Sequence, residues 1–127
     1  MLGAMPKVTG FGGFFFKTTD PAETARWFTE VLELPTEAWG RMFPAPEREG
    51  FTVLGLHAQS SDYFGPSTRD FMLNLHVDDL EGLLARLRER GVEIIKVLEP
   101  DPHGQFAHIK GPDGMVIELW QPAKDGG

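Results

Sequence analysis

From Met72 to Val77 the side chains alternate: Leu73, Leu75 and Val77 are apolar and β-prone, while Met72, Asn74 and His76 share the other parity. This predicts a strand with two different faces. Directly after it, Asp78 with Glu81 forms a capping-box pattern, and Leu80, Leu83, Leu84 and Leu87 recur at helical spacing. Gly91 then closes the helix after basic residues in its last turns. The leucines must lie on the Leu73/Leu75/Val77 face, so Asn74 and His76 are left on the face the helix does not cover.

The same plan occurs earlier in the chain. Val8 to Thr18 predicts a strand rich in phenylalanine (Phe11, Phe14, Phe15, Phe16) and softened by Gly10, Gly12 and Gly13. Asp20, Pro21 and Glu23 open a helix carrying Ala25, Trp27, Phe28, Val31 and Leu32, which is expected to stop at Leu34 before Pro35. A shift of 59 residues lays Phe14 on Leu73, Phe16 on Leu75, Thr18 on Val77 and Phe28 on Leu87. The chain reads as an internal duplication.

Further strands are predicted over 38–43 and 51–58, separated by a Pro-rich charged turn at 44–50, and over 92–98, 105–110 and 115–121. Gly111-Pro112-Asp113-Gly114 joins the last two as a tight turn. The expected class is α+β in one domain over residues 1–127. Two βαβββ modules, at about 8–59 and 71–122 with a linker at 60–70, are expected to form a mostly antiparallel sheet with helices on one face. Residues 1–6 read as a loose end outside the fold.

Composition narrows the function classes. A chain of 127 residues, 41% hydrophobic, can bury roughly two thirds of its unfolded surface in a single core. The absence of cysteine excludes disulfides and thiolate metal sites and is compatible with a reducing, cytoplasmic setting. No apolar run approaches the ~20 residues of a membrane span, so no membrane partner is expected. A net charge of −7 with no basic stretch argues against nucleic acid as a partner.

Three stretches, DPAETARWFTEVLEL, NLHVDDLEGLLARLRERGVEI and GPDGMVIELWQP, together resemble the glyoxalase / bleomycin-resistance / extradiol-dioxygenase (vicinal oxygen chelate) superfamily from Val8 to Pro122. The resemblance implies eight strands curling into an open cup around a small-molecule ligand, commonly in a homodimer. Members of that superfamily range from metal-dependent isomerases and dioxygenases to metal-free drug-binding proteins, so the fold does not fix the chemistry. Its metal enzymes hold a divalent ion with His or Glu from the first and fourth strands of each module. Carried over, those positions fall on Gly13, Met72 and Glu118, with the remaining one among Gly55, His57 and Gln59, which share a parity. His57 or Gln59 is able to occupy it. At best two of four positions ligate, where three protein ligands are the usual minimum for a catalytic ion. Neither a metal nor a cofactor is expected at the standard site.

If the alternation holds, the cup face collects Phe11, Phe15 and Lys17, then His57 and Gln59, Asn74 and His76, and finally Glu118 and Trp120. Apolar rings with a few convergent polar groups are the usual composition of a small-molecule site. Phe11, Phe15, Lys17, His57, Asn74 and Trp120 are the candidate ligand-binding residues. Glu118 and His76 are the candidate catalytic pair. Glu118 lies among Ile117, Leu119 and Trp120 and needs a partner, with Lys17, His57 and His76 as candidates. The competing readings are structural: an ion pair for Glu118, local hydrogen bonds for His57, His76 and Asn74, and plain core for Trp120 and the phenylalanines. His103 and His108 are weaker candidates, and Tyr63, Phe64 and Pro66 either cover the cup mouth or meet a second subunit.

Two functions remain open on the sequence. One is a metal-free protein that binds a small, partly aromatic molecule. The other is a lyase, isomerase or dioxygenase-like enzyme using either a displaced metal on His57, His76 and Glu118 or a Glu118/His acid–base pair.

Overall fold

Helix and strand alternate twice in the computed structural model, which describes residues 5–31, 34–44 and 50–124. The elements are β1 (Val8–Thr18), α1 (Pro21–Val31), β2 (Gly40–Pro44), β3 (Phe51–Ala58), β4 (Phe71–Val77), α2 (Leu80–Glu89), β5 (Ile94–Val97), β6 (Gly104–Lys110) and β7 (Val116–Pro122). Residues 1–4 of the loose end predicted at 1–6, the positions 32 and 33 near the predicted helix stop, and residues 45–49 of the charged turn lie outside the described residues.

Seven strands make one sheet in the order β2-β3-β1-β4-β7-β6-β5. The modules meet where β1 runs antiparallel to β4. Within each module a helical crossover returns the chain parallel to its first strand, β3 beside β1 and β7 beside β4. The sheet is therefore mixed, which corrects the eight-stranded, mostly antiparallel expectation. Among the described residues, module one has no counterpart of β5. Helices α1 and α2 start 59 residues apart, whereas the equivalent bridges Glu37↔Gly40 and Asp101↔Gly104 lie 64 apart, so module one is five residues shorter between helix and hairpin. In module two that longer stretch contains β5 (Ile94–Val97).

Helix α2 forms as its leucine spacing requires. Leu80, Leu83 and Leu84 are buried against Val77, Ala107, Ile109 and Leu119, with Leu75 and Leu87 packed alongside. The cap is Asp79, whose side chain accepts from the Gly82 amide at 3.0 Å. Asp78, the expected cap, instead accepts from the Lys7 amide and ammonium, both at 2.9 Å. Helix α1 starts as predicted, with Asp20 Oδ1 accepting from the Glu23 amide. It packs less deeply than α2: Ala25 is its buried side chain, while Trp27 and Val31 face solvent.

The opposite face of the sheet carries a second core of Phe15, Phe64, Met72 and Val116. Phe64 is supplied by the linker between modules, not by a strand. This is the face that the alternation in β4 assigned to Asn74 and His76, and both are fully buried there.

Candidate functional site

On the helix-free face, β4 and β7 run side by side with Asn74 opposite Glu118 and His76 opposite Trp120. Strand β6 pairs with β7 on the other side and sets His108 opposite Glu118. Three neighbouring strands thus present Asn74, Glu118 and His108 in one row, all essentially inaccessible to solvent.

A carboxylate so buried is stable only with donors around it. Asn74 Nδ2 donates to Glu118 Oε1 at 2.5 Å, His108 Nε2 donates to Oε2 at 2.8 Å, and the Tyr63 hydroxyl donates to the same Oε2 at 2.5 Å. Both oxygens are taken. Asn74 Oδ1 and His108 Nδ1 are left buried without a hydrogen-bond partner. Gly12 makes room for the first, because a Cβ there would stand 1.7 Å from Asn74 Oδ1.

Tyr63 comes from the module linker and lies at the centre of the group. Its ring stacks on His57 with centroids 5.2 Å apart, meets His108 edge-on at 4.9 Å and lies 5.3 Å below the Lys96 ammonium. Burial, reinforced by the neighbouring Glu118 charge and the hydrogen bond to it, raises the phenol well above its ordinary range, so it stays a donor at neutral pH. Phe64 packs edge-on to His57 and lies below Lys17 Nζ. Burial lowers the His57 pKa and Lys17 lowers it further, with Glu118 acting the other way, so this imidazole is held neutral.

The expected site residues divide accordingly. Phe15, Lys17, His57, Asn74 and Glu118 gather around Tyr63 and Phe64. Phe11 does not. A bulge between Phe11 and Gly13 pairs Phe11 with Leu75, on the helix side, and leaves its ring exposed. His76 bonds the Phe51 carbonyl at 2.8 Å and meets Trp120 edge-on. Trp120 is buried, donates to the His103 carbonyl at 2.8 Å and stacks on Phe106. Both belong to the packed end of the face, one residue pair away from Glu118. The partners expected for Glu118, namely Lys17, His57 and His76, are replaced by Tyr63, Asn74 and His108.

The standard metal position can now be tested against the donor set. Phe15 pairs with Gly55 in module one as Asn74 pairs with Glu118 in module two, so the fourth position is Gly55, not His57 or Gln59. Gly13, Gly55 and Met72 offer no suitable ligand, and both Glu118 oxygens already accept hydrogen bonds. The Phe15 ring lies against Gly55, where a Cβ would approach within 2.9 Å of Phe15 Cδ1. These residues do not fit a divalent ion. The displaced set of His57, His76 and Glu118 is not assembled either, since no group of three or more His, Asp or Glu side chains able to hold a metal occurs among the described residues.

Two residues of the group, Tyr63 and His108, have lesser roles on the sequence, Tyr63 at the cup mouth or a subunit contact and His108 as a weaker candidate. Tyr63 has no periodic signal because it lies in a linker of local turns. His108 had one: counting back through the Gly111–Gly114 turn, which pairs Lys110 with Val116, puts His108 opposite Glu118.

Comparison with known proteins agrees with this architecture. Methylmalonyl-CoA epimerase from Mycobacterium tuberculosis superposes with a TM-score of 0.65 at 19% identity, covering 96% of this chain and 93% of that one. A Streptomyces coelicolor methylmalonyl-CoA epimerase variant in complex with 2-nitronate-propionyl-CoA gives 0.65 at 12% identity, with 92% and 99% covered. A hypothetical protein from Bacillus halodurans gives 0.62 at 16% identity, with 98% and 99% covered. At these identities the likeness establishes the fold alone. No curated protein matches the chain in sequence. The family profile described as Glyoxalase/Bleomycin resistance protein/Dioxygenase superfamily matches residues 11–119, and with the two-module sheet in place the chain belongs to that superfamily.

Proposed function

We propose that the helix-free face binds a small, partly aromatic organic molecule without an ion at the superfamily's standard metal position. One observation carries this reading: the sole carboxylate at the four metal positions, Glu118, already accepts from Tyr63, Asn74 and His108, while the Phe15 ring lies against the glycine at its module-one counterpart. The surrounding rings of Phe15, His57, Tyr63 and Phe64, with the two ammonium groups of Lys17 and Lys96, form an apolar cluster with a few oriented polar atoms. That composition suits aromatic small molecules.

A second reading, an enzyme working by proton transfer, is favoured by a different observation. Glu118 and His108 form a buried carboxylate–imidazole pair on this face, and the half-buried Tyr63 hydroxyl connects that pair to the linker side. The acid–base partner is then His108 and not His76.

The deciding experiment is a thermal-shift screen of aromatic compounds on tag-free protein, with and without EDTA, beside elemental analysis. Ligands that bind the native state raise the melting temperature. Stabilisation by aromatic compounds that EDTA does not change is the expected result. One tightly held ion per chain, or stabilisation that needs an added metal, overturns the metal-free reading.

A further inference from the structure

The linker's attachment to the sheet is unusual in its division of labour. From Ser61 to Ser67 the backbone hydrogen bonds are local: Ser61 to Ala58, Tyr63 to the Ser61 hydroxyl, Gly65 to Asp62 and Ser67 to Phe64. The segment is tied down again beyond Phe64 where the Ser67 hydroxyl and the Thr68 amide donate to the Gly114 carbonyl. Among the described residues, no backbone hydrogen bond of residues 61–66 goes to the face that the segment covers. Its grip on that face is the Tyr63 and Phe64 side chains. Lifting these two rings away would break side-chain contacts and leave every local turn intact.

Tyr63 is also the chain's single tyrosine, and its surroundings are those of a bound phenol. The ring is held between an imidazole face and an ammonium, and its hydroxyl donates to a buried carboxylate that has two further fixed donors. A site that hydrogen-bonds an O–H in a desolvated place discriminates strongly against the same ring without it, because the acceptor is then left short of a donor. The phenol stays protonated here, so what the site recognises is a neutral donor and not a phenolate.

We propose that Tyr63 is a resident stand-in for the ligand: the site takes a neutral phenol, or an aromatic ring with an equivalent O–H or N–H donor, whose ring replaces that of Tyr63 between His57 and Lys96 and whose donor replaces the Tyr63 hydroxyl on Glu118. This rests on the small-molecule reading above and names its ligand class. It makes the linker a strap that a ligand must displace, so the affinity of the intact protein is lowered by the cost of that displacement.

The test uses p-cresol, the Tyr side chain as a free molecule, and toluene, the same ring without the hydroxyl. Binding to wild type and Tyr63→Ala is measured by calorimetry and thermal shift. Wild type carrying 3-fluorotyrosine at its one tyrosine reports the strap by fluorine NMR. The expected result is that p-cresol binds Tyr63→Ala about tenfold or more tightly than toluene, one neutral-to-charged hydrogen bond's worth. It binds wild type more weakly than Tyr63→Ala, and in wild type it moves the fluorotyrosine signal toward its solvent-exposed position. Equal binding of p-cresol and toluene to a folded Tyr63→Ala overturns the proposal. If that variant does not fold, the fluorine signal decides alone, and no movement at the highest soluble p-cresol concentration overturns it. Aromatic compounds that stabilise wild type without moving the signal sink the strap and keep the small-molecule reading. If no aromatic compound stabilises any form, both fall.

Discussion

The Tyr63 hydroxyl and Glu118 Oε2 meet at 2.5 Å although 55 positions separate them in the chain. The contact fastens the module linker to β7, and it joins a residue in a run of local turns to one deep in a strand. Tyr63→Phe tests its weight. The ring stays, the donor is lost, and the buried carboxylate keeps Asn74 and His108 only. The expected loss is about 1–3 kcal/mol of unfolding free energy, measured by urea denaturation with an unchanged slope. Unaltered stability would mean that water replaces the hydroxyl without cost and that the contact holds nothing.

The same contact fixes a pH response. The ordinary tyrosine value is 10.0, and the native phenol lies well above it, through burial first and Glu118 second. Above pH 10 the unfolded chain loses this proton while the native state keeps it, so stability falls as pH rises past that point. With one tyrosine in the chain, ultraviolet difference absorption reads this group alone. The phenolate band is expected to appear together with unfolding. A band that grows in the folded protein with a midpoint near 10 would show that the hydroxyl is free in solution.

How much of this was legible beforehand depended on whether a residue sat in a periodic element. Period-two alternation in β4 placed Asn74 and His76 on the helix-free face, and both are buried there. The duplication placed the helices and the central strands. Phe11 was misplaced because a bulge at Gly12 reverses the side chains before it, and glycines signal such a bulge only ambiguously. The eighth strand is what the resemblance implies, and among the described residues the shorter module one shows no counterpart of β5. Glu118 was identifiable as a buried carboxylate from its apolar flanks. Its partners were not, since Tyr63 reaches it from a segment with no periodicity and His108 through the register of a hairpin.

His57 supplies a response in the acid range. Its pKa lies below the ordinary 6.5, from burial first and from Lys17 next, against the pull of Glu118. The unfolded chain then binds the proton more readily than the native state, so the contribution is complete above pH 6.5 and is lost as pH falls through the lower native value. Histidine NMR titration is expected to give His57 a midpoint below 6.5, and His57→Phe is expected to flatten the acid limb of the stability curve while keeping the stacking on Tyr63. A His57 midpoint above 6.5 would mean that Glu118 dominates its electrostatics and that the native imidazole holds its proton more tightly than the unfolded chain does.

The departure from a metal-binding face is built into the backbone, so restoring ligand side chains will not restore a site. At Gly13 the backbone has φ +151°, and a Cβ would fall 2.2 Å from the Val53 carbonyl oxygen, a contact no rotamer relieves. At Gly55 the obstacle is a ring and not backbone, the Cβ standing 2.9 Å from Phe15 Cδ1. Gly55→Glu must therefore push Phe15 out of the core it shares with Phe64, Met72 and Val116. Each substitution is expected to cost about 1–3 kcal/mol as overpacking, with Gly13→His the larger because backbone must move. The double variant should show no rise in melting temperature with zinc, nickel or manganese, since Glu118 remains engaged by its three donors. A rise of several degrees with any of these ions would show that the face relaxes around a metal and that its aromatic filling is a replaceable occupant.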